Sequence, residues 1–140
     1  MNRVIRVSAV LITDAAQRAL MVRKHGTAAF MQPGGKPEPG DSAAATAVRE
    51  LAEELGLTVD PDLLVPLGVY RTPAANEAGF DVVADCFSLV LDEPVTVNAA
   101  AEIAEARWFT AADIAGATIA PLSAQALLPL VWAEAPVRDV

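Results

Sequence analysis

The sequence predicts an α/β fold in which helices cover a mixed β-sheet. Runs rich in β-branched and apolar residues recur along the chain, as strands require, and one central segment has the 3.6-residue period of a helix. A loop dense in glycine and proline separates the first strands from that helix. The chain has 140 residues, 54% of them hydrophobic, which is enough to bury one core, so we expect a single domain over residues 1–140.

The first third of the chain predicts a β-hairpin followed by an irregular loop. Val4–Thr13 is rich in β-branched residues, Asp14–Gln17 has the composition of a turn, and Ala19–Arg23 is a second apolar run. Phe30–Gln32 is a short extended piece. Over Pro33–Gly40, three prolines and three glycines exclude regular structure, so we expect a loop there.

The next segment predicts the one strongly marked helix. Ala43–Leu55 repeats apolar residues with helical spacing, Asp41 or Ser42 is placed to cap its N-terminus, and Gly56 is placed to end it. The residues expected to share its apolar face are Ala44, Val48, Leu51 and Leu55.

The second half of the chain predicts further strands and a closing helix. Strand-like runs follow at Leu64–Arg71, Phe80–Leu91 and Arg107–Phe109. The alanine-rich stretch Asn98–Ala106 fits either a loop or a helix. Ser123–Ala133 predicts a helix that is interrupted near its proline.

Charge and cysteine content restrict the partners. The 10 Lys+Arg against 18 Asp+Glu give a net charge of −8, which opposes binding to a nucleic-acid polymer, although a divalent cation can still attract a small phosphorylated substrate. The single cysteine, Cys86, excludes an intrachain disulfide, and its apolar neighbours predict a buried, inert thiol. The apolar run Val7–Ile12 is too short to span a bilayer. We therefore expect a cytoplasmic protein with no membrane partner.

Three glutamates form the most unusual pattern in the sequence. At about 100° per residue, Glu50, Glu53 and Glu54 lie within a narrow arc of the helix, which we expect roughly opposite the apolar stripe. Their mutual repulsion and the helix dipole near its C-terminus make this arrangement unfavourable for helix stability. A divalent cation would turn it into a site, because Mg²⁺ selects carboxylate oxygens. The alternative is a solvated acidic face.

The loop before the helix supports the site interpretation. Gly34, Gly35 and Gly40 permit close approach of the backbone to a ligand, and Glu38 can add another carboxylate. The alternative for the glycines is a tight turn.

The loop and helix together carry a family motif. Gly35, five residues, Asp41, seven residues and then Arg49-Glu50-Leu51-Ala52-Glu53-Glu54-Leu55-Gly56-Leu57 resemble the Nudix box, Gly-x5-Glu-x7-Arg-Glu-U-x-Glu-Glu-x-Gly-U, where U is a bulky aliphatic residue. The sole departure is Asp41, where the family has Glu; the position keeps its acidity. The resemblance implies an α/β/α sandwich with a mixed sheet, in which the box forms a loop–helix–loop.

The resemblance also implies a metal site and a reaction. Glu50, Glu53 and Glu54 carry over as ligands of Mg²⁺, with Mn²⁺ possible in its place, and the Gly34 carbonyl and Glu38 are further contributors. Arg49 is expected to orient Glu53 by a charge-assisted hydrogen bond, the alternative being an ordinary surface ion pair. The catalytic residues implied are Glu53, Arg49, Glu50 and Glu54.

The implied reaction is attack of water on one phosphorus of a diphosphate bridge. Glu53 is the first choice for activating the water, and Glu102 and Glu105 are candidates outside the box whose alternative role is plain surface charge. Lys36, Arg23 and Lys24 are candidates for contact with the substrate phosphates, the alternative being solvation. Further residues that could line a nucleotide pocket, or else serve packing or solvation, are Arg6, Phe30 and Phe80.

Three functions of different kinds remain open. The first is a MutT-like pyrophosphohydrolase (nucleotide pyrophosphatase) acting on nucleoside triphosphates or deoxynucleoside triphosphates, including oxidised ones. The alternative is a Nudix domain that senses a nucleotide without hydrolysing it, although such domains usually lose carboxylates of the box. A third interpretation is an acidic helix that binds a basic protein. Trp108 and Trp132 predict core or subunit contacts, which leaves a homodimer possible.

Overall fold

One mixed sheet organises the chain, whose computed structural model describes residues 3–93 and 95–132. Its strands are β1 (Arg3–Asp14), β2 (Ala19–Lys24), β3 (Phe30–Met31), β4 (Gly34–Gly35), β5 (Val65–Pro73), β6 (Phe80–Leu91) and β7 (Ile103–Phe109). The central pair, β1 and β6, is parallel along its whole length, whereas β5 pairs with β6 and β7 pairs with β2 in antiparallel fashion. The predicted mixed sheet is confirmed.

A gap between β1 and β2 admits the glycine-rich loop. The two strands pair only where Ile12 and Thr13 face Leu20 and Ala19, and β4 then takes the place of β2 beside Ser8 and Ala9. The prediction of wholly irregular backbone was therefore wrong for Gly34–Gly35. Glycine is required here, because a Cβ built on Gly34 would lie 2.0 Å from the Ser8 carbonyl oxygen.

The predicted helix, α1, spans Ala43–Leu55 and has the expected ends. The Ser42 side chain caps it by accepting a hydrogen bond from the Ala45 N–H at 3.0 Å, and Gly56 ends it in the left-handed conformation with φ of 69°. Leu51 and Leu55 are fully buried, as expected. Ala47 joins them in the core, while the other expected apolar-face residues are partly buried and pack against the same cluster.

Two hydrophobic cores lie on opposite faces of the sheet. Alternate residues of β1 point to each: Val10 and Ile12 join α1, whereas Ala9 and Leu11 join the core that contains Phe109 and the C-terminal helical segment. Helix, sheet and helical segment thus form three layers. The expected α/β/α sandwich is confirmed.

The second half departs from the sequence prediction in its boundaries. β7 begins at Ile103, so Asn98–Ala106 is partly strand rather than loop or helix alone, because β7 pairs with β2 as far as Lys24. The C-terminal helical segment is a π-helix over Leu122–Leu127, which continues as α2 over Leu128–Val131. The helix type changes directly before Pro129, but the helical segment continues through this residue to Val131, so the predicted break was wrong. Pro129 stands in the first turn of α2, where a proline is tolerated.

Two short 3₁₀ turns, Pro61–Leu63 and Ala111–Gly116, complete the elements. The predicted end of the closing helix at Ala133 lies outside the described residues. Within residues 3–93 and 95–132, no helix is long and apolar enough to cross a membrane.

Candidate active site

A cavity of about 530 Å³ lies beside the glutamate-bearing face of α1. The motif residues that line it are Gly34, Gly35, Lys36, Glu38, Arg49, Glu50, Glu53 and Glu54. The volume is in the range of pockets that hold a small ligand. The loop and the helix predicted from the sequence are thus brought to one concave surface.

Glu54 is the buried member of the acidic cluster. It is 4% exposed, and the backbone N–H of Gly34 donates a hydrogen bond to its Oε1 at 3.1 Å. Burial raises the pKa of the Glu54 carboxyl to about 8, and the nearby charge of Glu50 acts in the same direction, whereas the Gly34 hydrogen bond opposes both. A solvated acidic face is therefore excluded for this residue.

The predicted position of the three glutamates on α1, opposite the apolar stripe, was wrong. At 100° per residue, Glu54 stands only about 60° from the buried Leu51, so the arc flanks the apolar stripe instead of lying opposite it. Glu54 consequently faces the Gly34 backbone, while Glu53 faces outward with its side chain 52% exposed.

Glu50 is held by the arginine that precedes it. Arg49 Nη1 donates to Glu50 Oε2 at 2.9 Å, and the Glu50 side chain is 15% exposed. Burial raises the pKa of Glu50, and the hydrogen bond from Arg49 opposes that rise. A Cβ built on Gly35 would lie 2.4 Å from the Glu50 carboxyl carbon, so the missing side chain makes room for this carboxylate.

Arg49 connects the loop to the helix. Its Nη2 donates to Asp41 Oδ2 at 2.9 Å and to the Lys36 carbonyl at 3.1 Å. The Asp41 carboxylate accepts a hydrogen bond from the Glu38 N–H and another from Arg49. Both lower the pKa of Asp41, and the Glu38 bond has the larger effect. Aspartate at this position of the motif therefore keeps an acidic partner for Arg49.

The predicted hydrogen bond from Arg49 to Glu53 was wrong. Arg49 Nη1 lies 3.7 Å from Glu53 Oε1, an ion pair only, because the same nitrogen donates to Glu50. Each of the three glutamates thus has a different environment.

Within residues 3–93 and 95–132, no three His, Cys, Asp or Glu side chains are already grouped to hold a metal ion.

The structure brings only some of the predicted basic residues to the cavity. Lys24 and Lys36 line it, whereas Arg23 does not. Arg23 donates to the Thr27 carbonyl at 3.0 Å and pairs with Glu105 at 3.5 Å. Arg23 therefore lies outside the cavity in which the phosphates were expected to bind.

Of the two candidate bases outside the motif, only one lies on the cavity. Glu102 lines the cavity and lies 3.5 Å from the Lys24 ammonium, while Glu105 is not among the lining residues. Glu105 forms an ion pair with Arg23, so it has the role of a surface charge, which was the alternative to a role as catalytic base.

The aromatic candidates serve packing. Phe30 is buried with its ring 4.9 Å from that of Phe109, and Phe80 lies beneath the Arg3 guanidinium. Trp108 packs against the α1 core, and Trp132 Nε1 donates to the Gln17 carbonyl at 2.9 Å.

Two further predictions concern residues away from the cavity. Arg6 pairs with Asp85 at 3.7 Å. Cys86 is buried, and burial raises the pKa of its thiol to about 12, which confirms the predicted inert thiol.

With this geometry in place, comparison with known proteins decides the family. A family model of the NUDIX domain matches residues 2–130. The chain belongs to the Nudix family. A Bacillus subtilis (strain 168) protein provisionally named an 8-oxo-dGTP diphosphatase is 36% identical over 64 residues. That match covers 46% of this chain and 42% of the relative.

Solved structures share the Nudix fold. The NUDIX domain of Shewanella oneidensis NrtR, complexed with ADP ribose, superposes with a TM-score of 0.74 at 16% identity, covering 93% of this chain and 88% of that one. The Escherichia coli dihydroneopterin triphosphate pyrophosphohydrolase gives 0.72 at 20% identity, covering 90% and 94%. At these identities the likeness extends to the fold alone.

Three polar residues of the Nudix cavity were missed by sequence reasoning. Gln32, Thr72 and Ser123 line the cavity and are buried. They come from β3's end, from β5 and from the C-terminal helical segment, so no spacing along the chain connects them. The only sequence signal was that Gln32 stands immediately before the glycine-rich loop.

Proposed function

We propose that this Nudix protein hydrolyses a phosphoric anhydride bond in a nucleotide. The observation that carries the proposal is the complete set of motif carboxylates, Glu50, Glu53 and Glu54, on a cavity that also receives Lys24 and Lys36. Carboxylates suit a cation and lysines suit phosphate oxygens, so the two groups together fit a diphosphate. An acidic helix that merely binds a basic protein would need neither the cavity nor the lysines.

The donor set fits a divalent cation. Glu50, Glu53 and Glu54 would hold it, with Glu38 and the Gly34 carbonyl as further contributors, and hard carboxylate oxygens favour Mg²⁺, with Mn²⁺ as a substitute. Burial of Glu54 and its raised pKa mark a carboxylate whose charge lacks compensation within the protein. When bound, the cation would supply charge neutralisation at the phosphates and a more acidic water.

The protein groups have separable tasks in the hydrolysis. Glu53, the most exposed of the three glutamates, accepts the proton of the water that attacks phosphorus. Arg49 fixes Glu50 through a 2.9 Å hydrogen bond and holds the loop through Asp41. Lys24 and Lys36 attract the phosphate oxygens and compensate charge on the leaving group.

The proposed substrates are nucleoside triphosphates and deoxynucleoside triphosphates, including oxidised ones. The provisional name of the Bacillus subtilis relative supports an oxidised deoxynucleotide, and the Escherichia coli enzyme of the same fold is named for a triphosphate. The fold also accommodates ADP ribose in the Shewanella domain, so ADP ribose is the comparison substrate. We further propose one domain, a cytoplasmic location and a possible homodimer, as expected from the sequence.

A substrate panel tests the proposed function. Release of pyrophosphate or phosphate from nucleoside triphosphates, 8-oxo-dGTP and ADP ribose should require Mg²⁺ or Mn²⁺ and be abolished by chelator. Nucleotide binding without turnover on any member of the panel would instead indicate a sensing domain. If the protein neither binds nor hydrolyses any member of the panel, the remaining interpretation is an acidic helix that binds a basic protein.

The position of bond cleavage is a second expected result. Hydrolysis in water labelled with heavy oxygen should place the label in a phosphate-containing product, because the water attacks phosphorus. Mass spectrometry of the products locates the label. Label in a sugar hydroxyl would contradict the mechanism.

Glu102 and Glu105 provide a matched pair of variants that tests whether Glu102 acts as a base. If Glu102 assists proton transfer, Glu102→Gln should lower kcat by about tenfold or more with little change in Mg²⁺ affinity, because it lines the cavity but is not among the proposed cation ligands. Glu105→Gln, three residues further along the chain on β7 but outside the cavity, should keep native kcat. Equal kcat in native protein and both variants would assign the base to the motif alone.

A further inference from the structure

The α1 side of the sheet is left uncovered where β1 begins. Helix α1 starts above Ser8, which is 2% exposed and donates to the carbonyl of Ala43 at 2.8 Å. Side chains alternate along a strand, so Val4 and Arg6 point to the same side of the sheet as Ser8. The helix does not cover them, because Val4 is 44% exposed and the Arg6 side chain is 61% exposed. This end of the sheet therefore presents one face to solvent.

Cross-strand pairing extends this face over β6 and β5, because directly paired residues point to the same side of a sheet. It has three rows, each read from β1 through β6 to β5: Val4, Asp81 and Pro73; Arg6, Val83 and Arg71; and Ser8, Asp85 and Val69. Ser8 lies beneath α1, and we call the other eight residues the open face. None of these eight residues is buried.

Charges on the open face alternate in two dimensions. Asp81 and Asp85 stand four residues apart on β6, while Arg6 and Arg71 flank the position midway between them, on β1 and β5. Each arginine forms an ion pair across the diagonal, Arg6 with Asp85 at 3.7 Å and Arg71 with Asp81 at 2.9 Å. These two positive and two negative charges cancel, whereas the whole chain carries a net charge of −8. A second copy of the chain would therefore meet no net like charge on this face.

We propose that the open face binds the open face of a second copy of this chain, with the strands of the two sheets crossing at about 90°. In this arrangement Arg6 of one copy faces Asp81 of the other, and Arg71 of one copy faces Asp85 of the other. Two-fold symmetry repeats each contact, so every charge on the face meets an opposite charge. Sheets stacked with their strands aligned would instead place Arg6 opposite an arginine of the second copy, and facing like charges oppose binding.

The two-fold axis of this dimer runs along a diagonal line of valines. Val4, Val83 and Val69 occupy successive rows from β1 to β5, so each lies on the axis and packs against its own copy. Val4 and Val69 are 44% and 58% exposed, and burial of such apolar side chains favours association. An axis along the opposite diagonal would bring Ser8, and with it the N-terminus of α1, against the same helix of the second copy. The proposed axis places that helix end beside the exposed Pro73 instead.

The size of the open face sets the strength of the dimer. At about 4.8 Å between strands and about 6.8 Å between alternate residues of a strand, its positions cover roughly 260 Å² of sheet. Stable complexes bury about 800 Å² on each partner. We therefore expect a weak dimer that forms in the micromolar range and not a permanent one.

Sedimentation equilibrium of matched valine variants provides the first test. Native protein should change from one chain towards two as its concentration rises from about 5 to about 500 μM. Val69→Lys should raise the dissociation constant at least about tenfold, because it sets a charge on the axis against its own copy. Val90→Lys is the control and should keep Kd within about threefold. It adds the same charge at an equally exposed valine, 57% against 58%, outside the open face.

Two results of this experiment would overturn the proposal. The first is native protein that stays monomeric at every concentration, and the second is an equal effect of the two lysine substitutions. Neither Val69 nor Val90 lines the cavity, so the result does not depend on the proposed hydrolysis.

Exchange of one charge pair provides the second test and fixes the geometry. Arg6→Glu and Asp81→Lys should each lose self-association, because each sets like charges against each other across the interface. An equimolar mixture of these two variants should form a heterodimer with Kd within about threefold of the native value, since the exchanged contacts again join opposite charges. Mixing Arg6→Glu with Asp85→Lys should give no recovery, because Asp85 faces Arg71 of the second copy. A monomeric first mixture, or recovery only in the second, would overturn the proposed arrangement.

Discussion

Replacing Glu53 by Gln is expected to lower turnover by at least about a hundredfold. The substitution keeps the shape of the side chain but removes a carboxylate that can accept a proton or bind a cation, and each 1.4 kcal/mol of lost transition-state stabilisation costs about a factor of ten. Glu53 is half exposed and makes only a 3.7 Å ion pair with Arg49, so the fold should tolerate the change. The measurement is kcat at saturating Mg²⁺ and nucleotide.

Glu105→Gln is the control for this experiment, because it removes the same charge outside the cavity. It should retain kcat within about twofold. Near-native kcat in Glu53→Gln would remove this residue from the proposed mechanism and leave Glu102 as the candidate base on the cavity.

The fold was predictable where local and periodic signals agreed. Helix α1 begins after Ser42 and ends at Gly56, as cap chemistry and 3.6-residue spacing required. Strand β4 was not predictable, because it depends on the separation of β1 and β2 beyond Ile12 and on the space left by the missing side chain of Gly34. The glycine and proline content of that segment predicted irregular backbone. Pairing with β1 nevertheless makes Gly34 and Gly35 a short strand.

The site was predictable as a set of residues, but the differences among them were not. The motif spacing placed Glu50, Glu53 and Glu54 together, whereas their environments depend on the loop packed against α1. Glu54 is buried because the Gly34 backbone approaches it, and Arg49 bonds Glu50 because Asp41 holds its other nitrogen. Gln32 and Thr72 reach the cavity through sheet order, which no local pattern encodes.

Burial of Glu54 changes the expected energetics of the acidic cluster. Treated as solvated, each glutamate would destabilise the metal-free protein by roughly 0.3 to 1 kcal/mol through repulsion and the helix dipole. Burial raises the pKa of Glu54 from 4.5 to about 8, so its effect should be larger. At pH 7 the unfolded chain ionises this carboxyl and the folded chain keeps it protonated, which corresponds to a loss of stability on the order of 3 kcal/mol.

Glu54→Gln should therefore stabilise the metal-free protein in a pH-dependent way. A carboxyl whose pKa is raised by folding contributes its full stability below pH 4.5 and loses it as the pH rises towards about 8, whereas Gln has no such loss. The free energy of unfolding in chelator should be similar for native and variant near pH 4 and higher for the variant by a few kcal/mol near pH 7. Glu53→Gln, at an exposed position, should show only the small difference of roughly 0.3 to 1 kcal/mol.

Adding Mg²⁺ should reverse the order of the two proteins. A cation that binds only the folded state raises the Tm of native protein by mass action, and Glu54→Gln should lose most of that increment because one carboxylate is missing. Thermal melting of native protein, Glu54→Gln and Glu53→Gln in chelator and in excess Mg²⁺, at moderate ionic strength where screening is partial, measures both effects. If Glu54→Gln melts below native protein in chelator at pH 7, the Gly34 hydrogen bond to the Glu54 carboxylate outweighs its burial, and the glutamate is structural rather than maintained against stability for binding a cation.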